Sequence, residues 1–459
     1  MTWPEAGDTI AAIATPPGEA GIGIVRLSGP QSESITRRLF RPRRARDSWQ
    51  SHRLYLGDFL DSQGHVLDEV LLTLMRAPHT YTREDVVEIH CHSGYAVLRA
   101  ILGEVLAQGA RLARPGEFTL RAFLSGRLDL SQAEGVLEVI QARTQASLRV
   151  AAAHLGGGLG RRLTEIRAAL LGVLAQLEAA LDFPDEGAEL SPEDLREKLA
   201  GPSQYLANLL ETYKQGRLLR EGVKVVLAGR PNVGKSSLLN RLLDADRAIV
   251  TDIPGTTRDV IEETLTLQGV ALLVSDTAGL REARDLVEEL GVARSREHMS
   301  QADLILYLVD GSKPLSKEDV QVFGDLAERP VLIVMNKMDL PPKLKAEDLR
   351  PHTSRPVVAI SALTGQGLQN LEEAVVDLVL GGGVQTGGEM ITQARHAELL
   401  NRAQAGLDQG RELLQQADPP WELAALEVKE ALLALGEITG EEVGEAVLDH
   451  IFSQFCIGK

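Results

Sequence analysis

Residues 229–236 combine the residue types that bind a nucleotide phosphate. Their sequence, GRPNVGKS, fits the pattern G-x-x-x-x-G-K-[ST]. The two glycines let backbone N–H groups turn toward phosphate oxygens, while Lys235 can reach the β- and γ-phosphates and the Ser236 hydroxyl can ligate Mg²⁺. The apolar run before the octapeptide predicts a strand, and the leucine-rich run after it predicts a helix. This strand–loop–helix context is the one that phosphate binding requires.

Two further segments supply the groups that act on the γ-phosphate and on Mg²⁺. The segment DTAG at 276–279 ends a predicted strand, where the Asp276 carboxylate can hold the Mg²⁺ shell. The Gly279 N–H can contact a γ-phosphate, and Thr257 can add a hydroxyl ligand to Mg²⁺. These residues predict hydrolysis of a nucleoside triphosphate with bound Mg²⁺.

Two more segments select the base. In NKMD at 336–339, Asp339 can accept two hydrogen bonds that guanine offers and adenine does not. The segment SAL at 361–363 follows the last strand and can give a backbone N–H to guanine O6. The predicted nucleotide is therefore GTP or GDP.

The group that orients the attacking water is not settled by these motifs. Leu280 stands where small signalling GTPases carry a glutamine, so another side chain must hold the water. Nearby carboxylates belong to Glu282, Glu288 and Glu289, and any of the three could act directly or through a second water. In the phosphate loop, the Asn232 side chain could hold a monovalent cation beside the β- and γ-phosphates, where an arginine finger would otherwise place its charge.

The composition is that of a globular protein with a large core. Of 459 residues, 44% are hydrophobic and 25% are charged. The chain has neither a signal-like start nor a run of about 18 apolar residues, so we expect a cytoplasmic protein without a membrane span. Two cysteines, Cys91 and Cys456, favour a reducing compartment. The formal charge of −17 argues against a large autonomous nucleic-acid surface.

Around the nucleotide motifs, the apolar pattern predicts a multidomain chain of α/β and α type. Residues 1–120 alternate short strands and turns, for example at 66–75 and 86–91, and predict a small α+β domain. His90 and His92 share a strand face, a spacing that a metal site could use, but no second ligand pair is in view, which favours a plain strand.

Residues 121–220 change to helical periodicity. One apolar stripe on a long helix is predicted from Leu163, Ile166, Leu170, Leu171, Val173, Leu174, Leu177 and Leu181. The triglycine at 156–158 predicts a break, and Ser191 with Pro192 predicts the start of the next helix.

Residues 221–380 alternate strands and helices, as a P-loop domain with a parallel sheet would. A glycine-rich linker at 381–388 follows, and the chain is helical again within 381–459. If these last helices pack against those of 121–220, the nucleotide domain is an insertion in a discontinuous helical domain.

Four groups of residues together resemble the MnmE (TrmE) family of tRNA-modification GTPases. They are DTI at 8–10 with ATPPG at 14–18, RPGEFT at 114–119, the GTPase segments, and FCIGK at 455–459. The resemblance implies a homodimer with a folate-binding N-terminal domain, a discontinuous helical domain and an inserted GTPase domain. It also implies work with the FAD flavoprotein MnmG, in a heterotetramer, that adds an aminomethyl or carboxymethylaminomethyl group to C5 of the wobble uridine of certain tRNAs.

The resemblance also implies roles for individual residues. The one-carbon unit would come from 5-formyltetrahydrofolate or methylenetetrahydrofolate, and the matching folate contacts are Arg26, Glu88, Arg127 and Lys459. The matching K⁺ ligands are Asn232, Thr251, Ile253 and Thr256, and G-domain dimerisation would be stimulated by potassium. Glu288 matches the water-orienting carboxylate, and Cys456 matches a cysteine important for modification. From sequence alone, Cys456 is equally well an inert small apolar residue.

Combining motifs and resemblance gives a set of predicted GTP contacts with Mg²⁺ ligands at Ser236 and Thr257. In chain order the GTP contacts are Asn232, Val233, Gly234, Lys235, Ser236, Ser237, Thr251, Asp252, Ile253, Pro254, Gly255, Thr256, Thr257, Asp276, Thr277, Ala278, Gly279, Asn336, Lys337, Asp339, Ser361, Ala362 and Leu363.

The sequence offers two alternatives to this function. A ribosome-assembly or RNA-remodelling GTPase would carry a basic RNA-binding appendage, which this acidic chain lacks. A folate-dependent aminomethyltransferase in which GTP is only regulatory is the other alternative.

Overall fold

The computed structural model describes residues 7–16, 18–44, 48–182, 191–246, 262–276, 302–326, 329–381 and 389–459. The chain forms two compact units, each built from separate stretches. The first unit comprises Met1–Leu137, His154–Pro202 and Arg402–Lys459, and the second comprises Glu138–Ala153 and Ser203–Asn401.

The first unit contains a seven-stranded sheet in the order β3-β4-β5-β6-β2-β1-β7. Neighbouring strands are antiparallel except β1 and β7, which are parallel. Its strands are β1 (Ile10–Ile13), β2 (Ala20–Ser28), β3 (Phe40–Pro42), β4 (Arg53–Leu60), β5 (Val66–Met75), β6 (Val86–Ser93) and β7 (Arg111–Leu112).

Buried and exposed residues alternate along the strands, and the buried ones identify the face of this sheet that is covered. In β5, Val70, Leu72 and Leu74 are buried while Leu71 between them is exposed, as the two-residue period of a strand requires. The covered face packs with apolar residues of α1 (Ser32–Leu39) and α2 (Tyr95–Ala107) in one core. The predicted α+β architecture of the N-terminal region is thereby confirmed.

The rest of the first unit is helical, and two of the helices, α6 and α14, pack against each other along their length. Arg167 of α6 donates to the Leu432 carbonyl of α14 at 3.3 Å. The helices from 117 to 211 are α3 (Glu117–Leu124), α4 (Leu130–Gln141), α5 (Gln145–Leu155), α6 (Gly158–Asp182) and α7 (Pro192–Glu211). Most of α5, and residues 203–211 of α7, belong to the second unit. The helices after 389 are α13 (Ala394–Leu413), α14 (Trp421–Thr439) and α15 (Glu445–Ser453).

The predicted helix boundaries in this region are confirmed. The break at the triglycine separates α5 from α6, with Gly157 at a left-handed φ of 72°. Pro192 is the first residue of α7, and the Asp194 N–H donates to the Ser191 hydroxyl at 3.3 Å as an N-cap.

The predicted apolar stripe on α6 needs one correction. Six of its eight residues are buried and Leu181 is half-buried, but Leu171 is 51% exposed. Leu170 is fully buried, and its neighbour lies about 100° further around the helix, outside the packed face.

The second unit has a six-stranded sheet in the order β13-β12-β11-β8-β10-β9, parallel except for the edge strand β9. Its strands are β8 (Val223–Ala228), β9 (Glu262–Leu267), β10 (Val270–Asp276), β11 (Leu304–Asp310), β12 (Val331–Asn336) and β13 (Val357–Ala359). Its shorter helices are α8 (Tyr213–Glu221), α9 (Lys235–Asp246), α10 (Lys317–Asp325), α11 (Ala346–Leu349) and α12 (Leu368–Leu380).

Strands β11 and β12 are buried almost without interruption, as parallel strands covered on both faces are. An apolar cluster on this sheet extends beyond the alternating region, because it includes Leu218 and Leu219 of α8, Met390, and Ala146 and Val150 of α5. Residues 203–222 and 389–401 therefore belong to the same compact unit as the sheet.

The predicted linker begins at Gly381, which follows α12 at a left-handed φ of 71°, and its residues 382–388 lie outside the described part of the chain. No helix in the described ranges is both long enough and apolar enough to cross a bilayer.

The pair Leu170 and Leu171 tests the packing of α6. Leu170→Ala should lower the free energy of unfolding by about 2–4 kcal/mol, because it removes buried apolar volume and leaves a cavity. Leu171→Ala, the matched control one residue along, should change it by less than about 0.5 kcal/mol. Urea denaturation of the full chain followed by circular dichroism measures both, and equal losses would contradict the burial of α6.

Candidate functional site

The phosphate-loop glycines occupy positions that no other residue could take. The loop runs from the end of β8 to the start of α9, with Gly229 at φ 137° and Gly234 at φ 101°. A Cβ on Gly229 would lie 2.5 Å from the Leu308 carbonyl oxygen, and one on Gly234 would lie 2.2 Å from Nδ2 of Asn336. The loop is thus pressed against β11 and against the end of β12.

Asn336 joins the three nucleotide segments. Its side chain is buried, its Nδ2 donates to the Val233 carbonyl at 2.9 Å, and its Oδ1 accepts from the Ala362 N–H at 2.9 Å. One amide group therefore satisfies a carbonyl of the phosphate loop and an N–H of the segment 361–363. The structure brings together these three sequence-predicted segments, which are separated by up to about 130 residues.

Lys337 makes a second link to the phosphate loop. It has a left-handed φ of 68°, and its Nζ donates to the Asn232 carbonyl at 2.7 Å and to Oδ2 of Asp310 at 2.8 Å. Burial alone would raise the pKa of Asp310, but hydrogen bonds from Lys337 and Ser312 outweigh it and hold that pKa below its ordinary value. Asp310 is not among the residues predicted from the sequence. It could have been found as a carboxylate at the carboxyl end of a parallel strand, because ligands bind at that edge of such sheets.

The residues predicted to recognise the base are arranged around Ser361. The Ser361 hydroxyl donates to Oδ1 of Asp339 at 2.6 Å, which fixes that carboxylate. In the segment 361–363, the Ser361 N–H donates to the Gln366 carbonyl and the Ala362 N–H to Asn336. The Leu363 N–H has no acceptor among the residues that the structure describes, and its side chain is 77% exposed. Leu363 therefore offers the free N–H of this segment.

The loop has the donor set that a nucleotide phosphate and its Mg²⁺ need. Lys235 Nζ donates to the carbonyls of Gly229 at 2.8 Å and Arg230 at 3.1 Å, so its positive charge is held over the loop. Ser236 lies in the first turn of α9, so its hydroxyl is at the same helix end as the N–H groups that can bind an anion. These residues fit a triphosphate with Mg²⁺ at Ser236.

The remaining predicted nucleotide residues lie outside the described part of the chain. They are Thr251, Asp252, Ile253, Pro254, Gly255, Thr256, Thr257, Thr277, Ala278 and Gly279, together with Leu280, Glu282, Glu288 and Glu289. Asp276 is described only as the last residue of β10.

A second cluster of predicted residues lies on the sheet of the first unit. Arg26 on β2 and Glu88 on β6 are direct cross-strand partners, and Nε and Nη2 of Arg26 both lie 2.8 Å from Oε1 of Glu88. Arg26 Nη1 also donates to the Gly458 carbonyl at 3.2 Å. An ion pair on neighbouring strands is thus tied to the C-terminal segment.

The C-terminal segment packs on the start of α3. Ile457 forms a β-bridge with Pro115, and the Phe118 N–H donates to the Lys459 carbonyl at 3.2 Å. A Cβ on Gly458, at φ 98°, would lie 2.4 Å from the Ile13 carbonyl oxygen, so this approach requires glycine. Burial, followed by the charge of Arg26, lowers the pKa of Lys459. Arg26, Glu88 and Lys459 therefore form one site.

Arg127 is the fourth predicted folate contact. The Tyr81 side chain lies between it and the site formed by Arg26, Glu88 and Lys459. Its guanidinium lies 4.9 Å from the ring centroid of Tyr81 and its Nη1 is 3.4 Å from the Tyr81 carbonyl. The Tyr81 hydroxyl bonds that of Thr119 at 3.0 Å. Burial raises the pKa of Tyr81, while the charges of Arg127 and Arg26 oppose that rise, so both arginines act on this ring.

A network of ion pairs connects the motifs at 8–10 and 114–119. Arg111 pairs with Asp8 at 2.7 Å and with Glu117 at 2.6 Å. Arg121, only 7% exposed, pairs with Asp8 and with Glu84. The buried charges of Glu117 and Arg121 are tolerated because each has an opposite partner. The network fixes the start of α3 against β1 and β7.

The two cysteines and the histidine pair have different surroundings. Cys91 is buried, and burial, followed by the charge of Asp68, raises the pKa of its thiol to about 11. Cys456 is exposed. His92 lies 2.7 Å from Asp68 and His90 lies 3.3 Å from Glu88, and the described residues contain no group of three or more potential metal ligands.

Known proteins resemble the chain over nearly its whole length. A family model described as the MnmE helical domain matches residues 130–456, and one described as the GTP-binding protein TrmE N-terminus matches residues 9–127. The tRNA modification GTPase MnmE of Heliobacterium modesticaldum is 49% identical over 465 residues, covering 99% of this chain and 100% of the relative. The MnmE of Chloroflexus aurantiacus is 50% identical over 459 residues, covering 98% and 100%.

Among solved structures, the G domain of the T. maritima FeoB iron transporter is 30% identical. It is matched over 98% of its length and 34% of this chain, with a TM-score of 0.26, which is too low to support a conclusion. The full-length relatives and the two family models carry the assignment instead, and the linked nucleotide segments agree with them. The chain belongs to the MnmE family of tRNA modification GTPases.

Proposed function

We propose that this chain uses GTP binding and hydrolysis to drive the modification of the wobble uridine of certain tRNAs. As a member of a family of GTPases, it is a GTP-hydrolysing enzyme. The observation that carries the proposal is the Asn336 amide, which holds the phosphate loop and the base-recognition segments in one arrangement.

In the proposed nucleotide site, residues of this chain bind and orient GTP. Backbone N–H groups of 232–237 and the Lys235 ammonium receive the phosphates, and Asp339 receives the guanine edge. Ser236 and Thr257 would hold Mg²⁺, which supplies charge neutralisation at the β- and γ-phosphates. Glu288 would orient the attacking water, and Asn232 with Thr251, Ile253 and Thr256 would hold K⁺.

In the proposed folate site, Arg26, Glu88 and Lys459 bind the reduced pterin, and Arg127 contacts the ligand further along. The donor set fits, because a carboxylate fixed by an arginine can accept paired N–H groups from a pterin ring. The folate, as 5-formyltetrahydrofolate or methylenetetrahydrofolate, supplies the one-carbon unit. The exposed Cys456 thiol lies three residues before Lys459, close enough in sequence to serve the same chemistry.

The assembly that we propose is a cytoplasmic homodimer that works with an MnmG-type flavoprotein carrying FAD. Two unpaired thiols support a reducing compartment. We propose domain boundaries at 1–120 for folate binding, 121–220 and 381–459 for the two parts of the helical domain, and 221–380 for GTP. The packing of α6 against α14 supports the pairing of the two helical parts.

Asp339→Asn tests base recognition. The amide cannot accept two hydrogen bonds from guanine, so GTP affinity should fall about 100-fold. Its Nδ2 can donate to the C2 carbonyl of xanthine, so XTP should bind in place of GTP. Asp325→Asn, at the exposed end of α10, is the matched control. Competition binding with a fluorescent nucleotide measures the GTP and XTP affinities of the unchanged protein and of both variants. Unchanged GTP binding by Asp339→Asn would refute the guanine assignment.

The potassium site is tested by comparing GTP hydrolysis in KCl and NaCl at equal ionic strength. A cation held beside the β- and γ-phosphates stabilises the charge of the transition state, so we expect hydrolysis about tenfold faster in KCl. Asn232→Ala should abolish the difference between the salts. Equal rates of the unchanged protein in both salts would remove the cation from the mechanism.

Cys456→Ser tests whether tRNA modification depends on a residue that GTP hydrolysis does not need. GTP hydrolysis should stay within about twofold of the unchanged protein, because the thiol lies outside the nucleotide site, whereas modification of tRNA should be lost. Cys91→Ala, which changes the buried thiol, should retain both activities. The measurement is a reconstituted assay with flavoprotein, folate, KCl, GTP and tRNA, followed by nucleoside analysis. Full modification by Cys456→Ser would exclude a chemical role for this thiol.

A further inference from the structure

We call Arg26, Glu88 and Lys459 the folate cluster. A cavity of about 670 Å³ opens beside it, at Arg127. It lies between the segment that connects β5 to β6 and Arg127, which follows α3. Its wall includes the side chains of His79, Tyr81, Arg83 and Arg127. Only Arg127 of these four is among the predicted site residues, so the function assigned above leaves most of this cavity unused.

The cavity is cationic. Arg83 and Arg127 are both exposed, and among the described residues neither forms an ion pair. None of the described residues that line the cavity carries a carboxylate. The acids nearest in sequence have other partners: Glu84 bonds Arg121 at 3.0 Å and Ser28 at 2.6 Å, while Asp85 accepts from the Ala77 N–H at 2.9 Å. The two guanidinium groups therefore suit an anionic ligand.

Arg83 is held in place at a conformational cost. Its φ is 60°, a left-handed value that arginine seldom adopts. Its Nη1 donates to the Ser125 carbonyl at 2.7 Å, which uses one of its five N–H donors and leaves four for a ligand. A residue kept in an unfavourable backbone conformation while its charge stays unpaired indicates a binding role.

Tyr81 connects the cavity to the folate cluster, because it lines the cavity and packs against the apolar cluster that contains Phe118. Tyr81 has Arg127 against its ring and bonds Thr119, and the adjacent Phe118 has the Arg26 guanidinium 5.7 Å from its ring centroid. A ligand whose head group contacts Arg26 and Glu88 and which extends past Tyr81 would reach Arg127 and then Arg83.

We propose that this cavity binds the glutamate tail of the folate and favours folates that carry additional γ-linked glutamates. This inference rests on the proposed folate site. A monoglutamyl folate ends in two carboxylates, and each further γ-linked glutamate adds one more. Two guanidinium groups with free N–H donors match carboxylates in paired geometry, so a longer tail gains contacts that a single glutamate lacks.

The test compares 5-formyltetrahydrofolate with one and with three glutamates, each titrated calorimetrically into the full-length protein. Exposed arginine–carboxylate pairs contribute modestly, so the triglutamyl form should bind about fivefold more tightly than the monoglutamyl form. Arg83→Asn should bring that ratio close to one, and asparagine is chosen because it accepts the left-handed φ without strain. Arg99→Gln, on α2 outside the cavity, removes the same charge and should leave the ratio at its original value.

Unchanged GTP hydrolysis and thermal unfolding show that Arg83→Asn is folded. Equal affinities of the two folates for the unchanged protein, or an unchanged ratio in Arg83→Asn, would overturn the tail site and leave the folate site standing. Absence of binding by either folate would overturn the folate site and this inference with it. An Arg83→Asn protein that loses affinity for tRNA while keeping the folate ratio would assign the cavity to nucleic-acid phosphates, which also overturns the inference.

Discussion

The side-chain amide of Asn336 is the interaction on which the nucleotide site depends. It is buried, and it satisfies the Val233 carbonyl and the Ala362 N–H at the same time. A buried polar group that loses its partner costs about 1–3 kcal/mol, so neither the phosphate loop nor the segment 361–363 can move away without that cost. The parallel sheet beneath serves this arrangement, because it brings the ends of β8 and β12 and the residues after β13 to one edge.

In the first unit, ion pairs hold segments that are distant in sequence against each other. Arg26 and Glu88 are opposite each other on β2 and β6, and Arg26 also holds the Gly458 carbonyl. The pairs made by Arg111 and Arg121 fix the start of α3, on which the C-terminal segment lies. The first unit therefore carries a second set of ion pairs besides Arg26–Glu88, and two of its members, Glu117 and Arg121, are buried.

The sequence was sufficient for what depends on local patterns. The phosphate loop, the strand limits at 66–75 and the break at 156–158 follow from residue type and spacing, and the structure has them. Leu171 was wrongly assigned to the α6 core, because apolarity alone does not separate two adjacent leucines at the edge of a stripe. Asp310 and the network around Arg121 were missed because their partners lie far away along the chain and leave no local periodicity.

The division of the first unit into three stretches has a consequence for the order of folding. Helix α14 packs on α6, and Ile457 bridges Pro115, so these contacts join residues separated by about 240 to 340 positions. The stretch Ser203–Asn401 contains the whole parallel sheet and leaves the ribosome before Arg402–Lys459. The nucleotide-binding sheet can therefore form during synthesis, whereas the helical pairing and the Arg26 site must wait for the last segment to arrive.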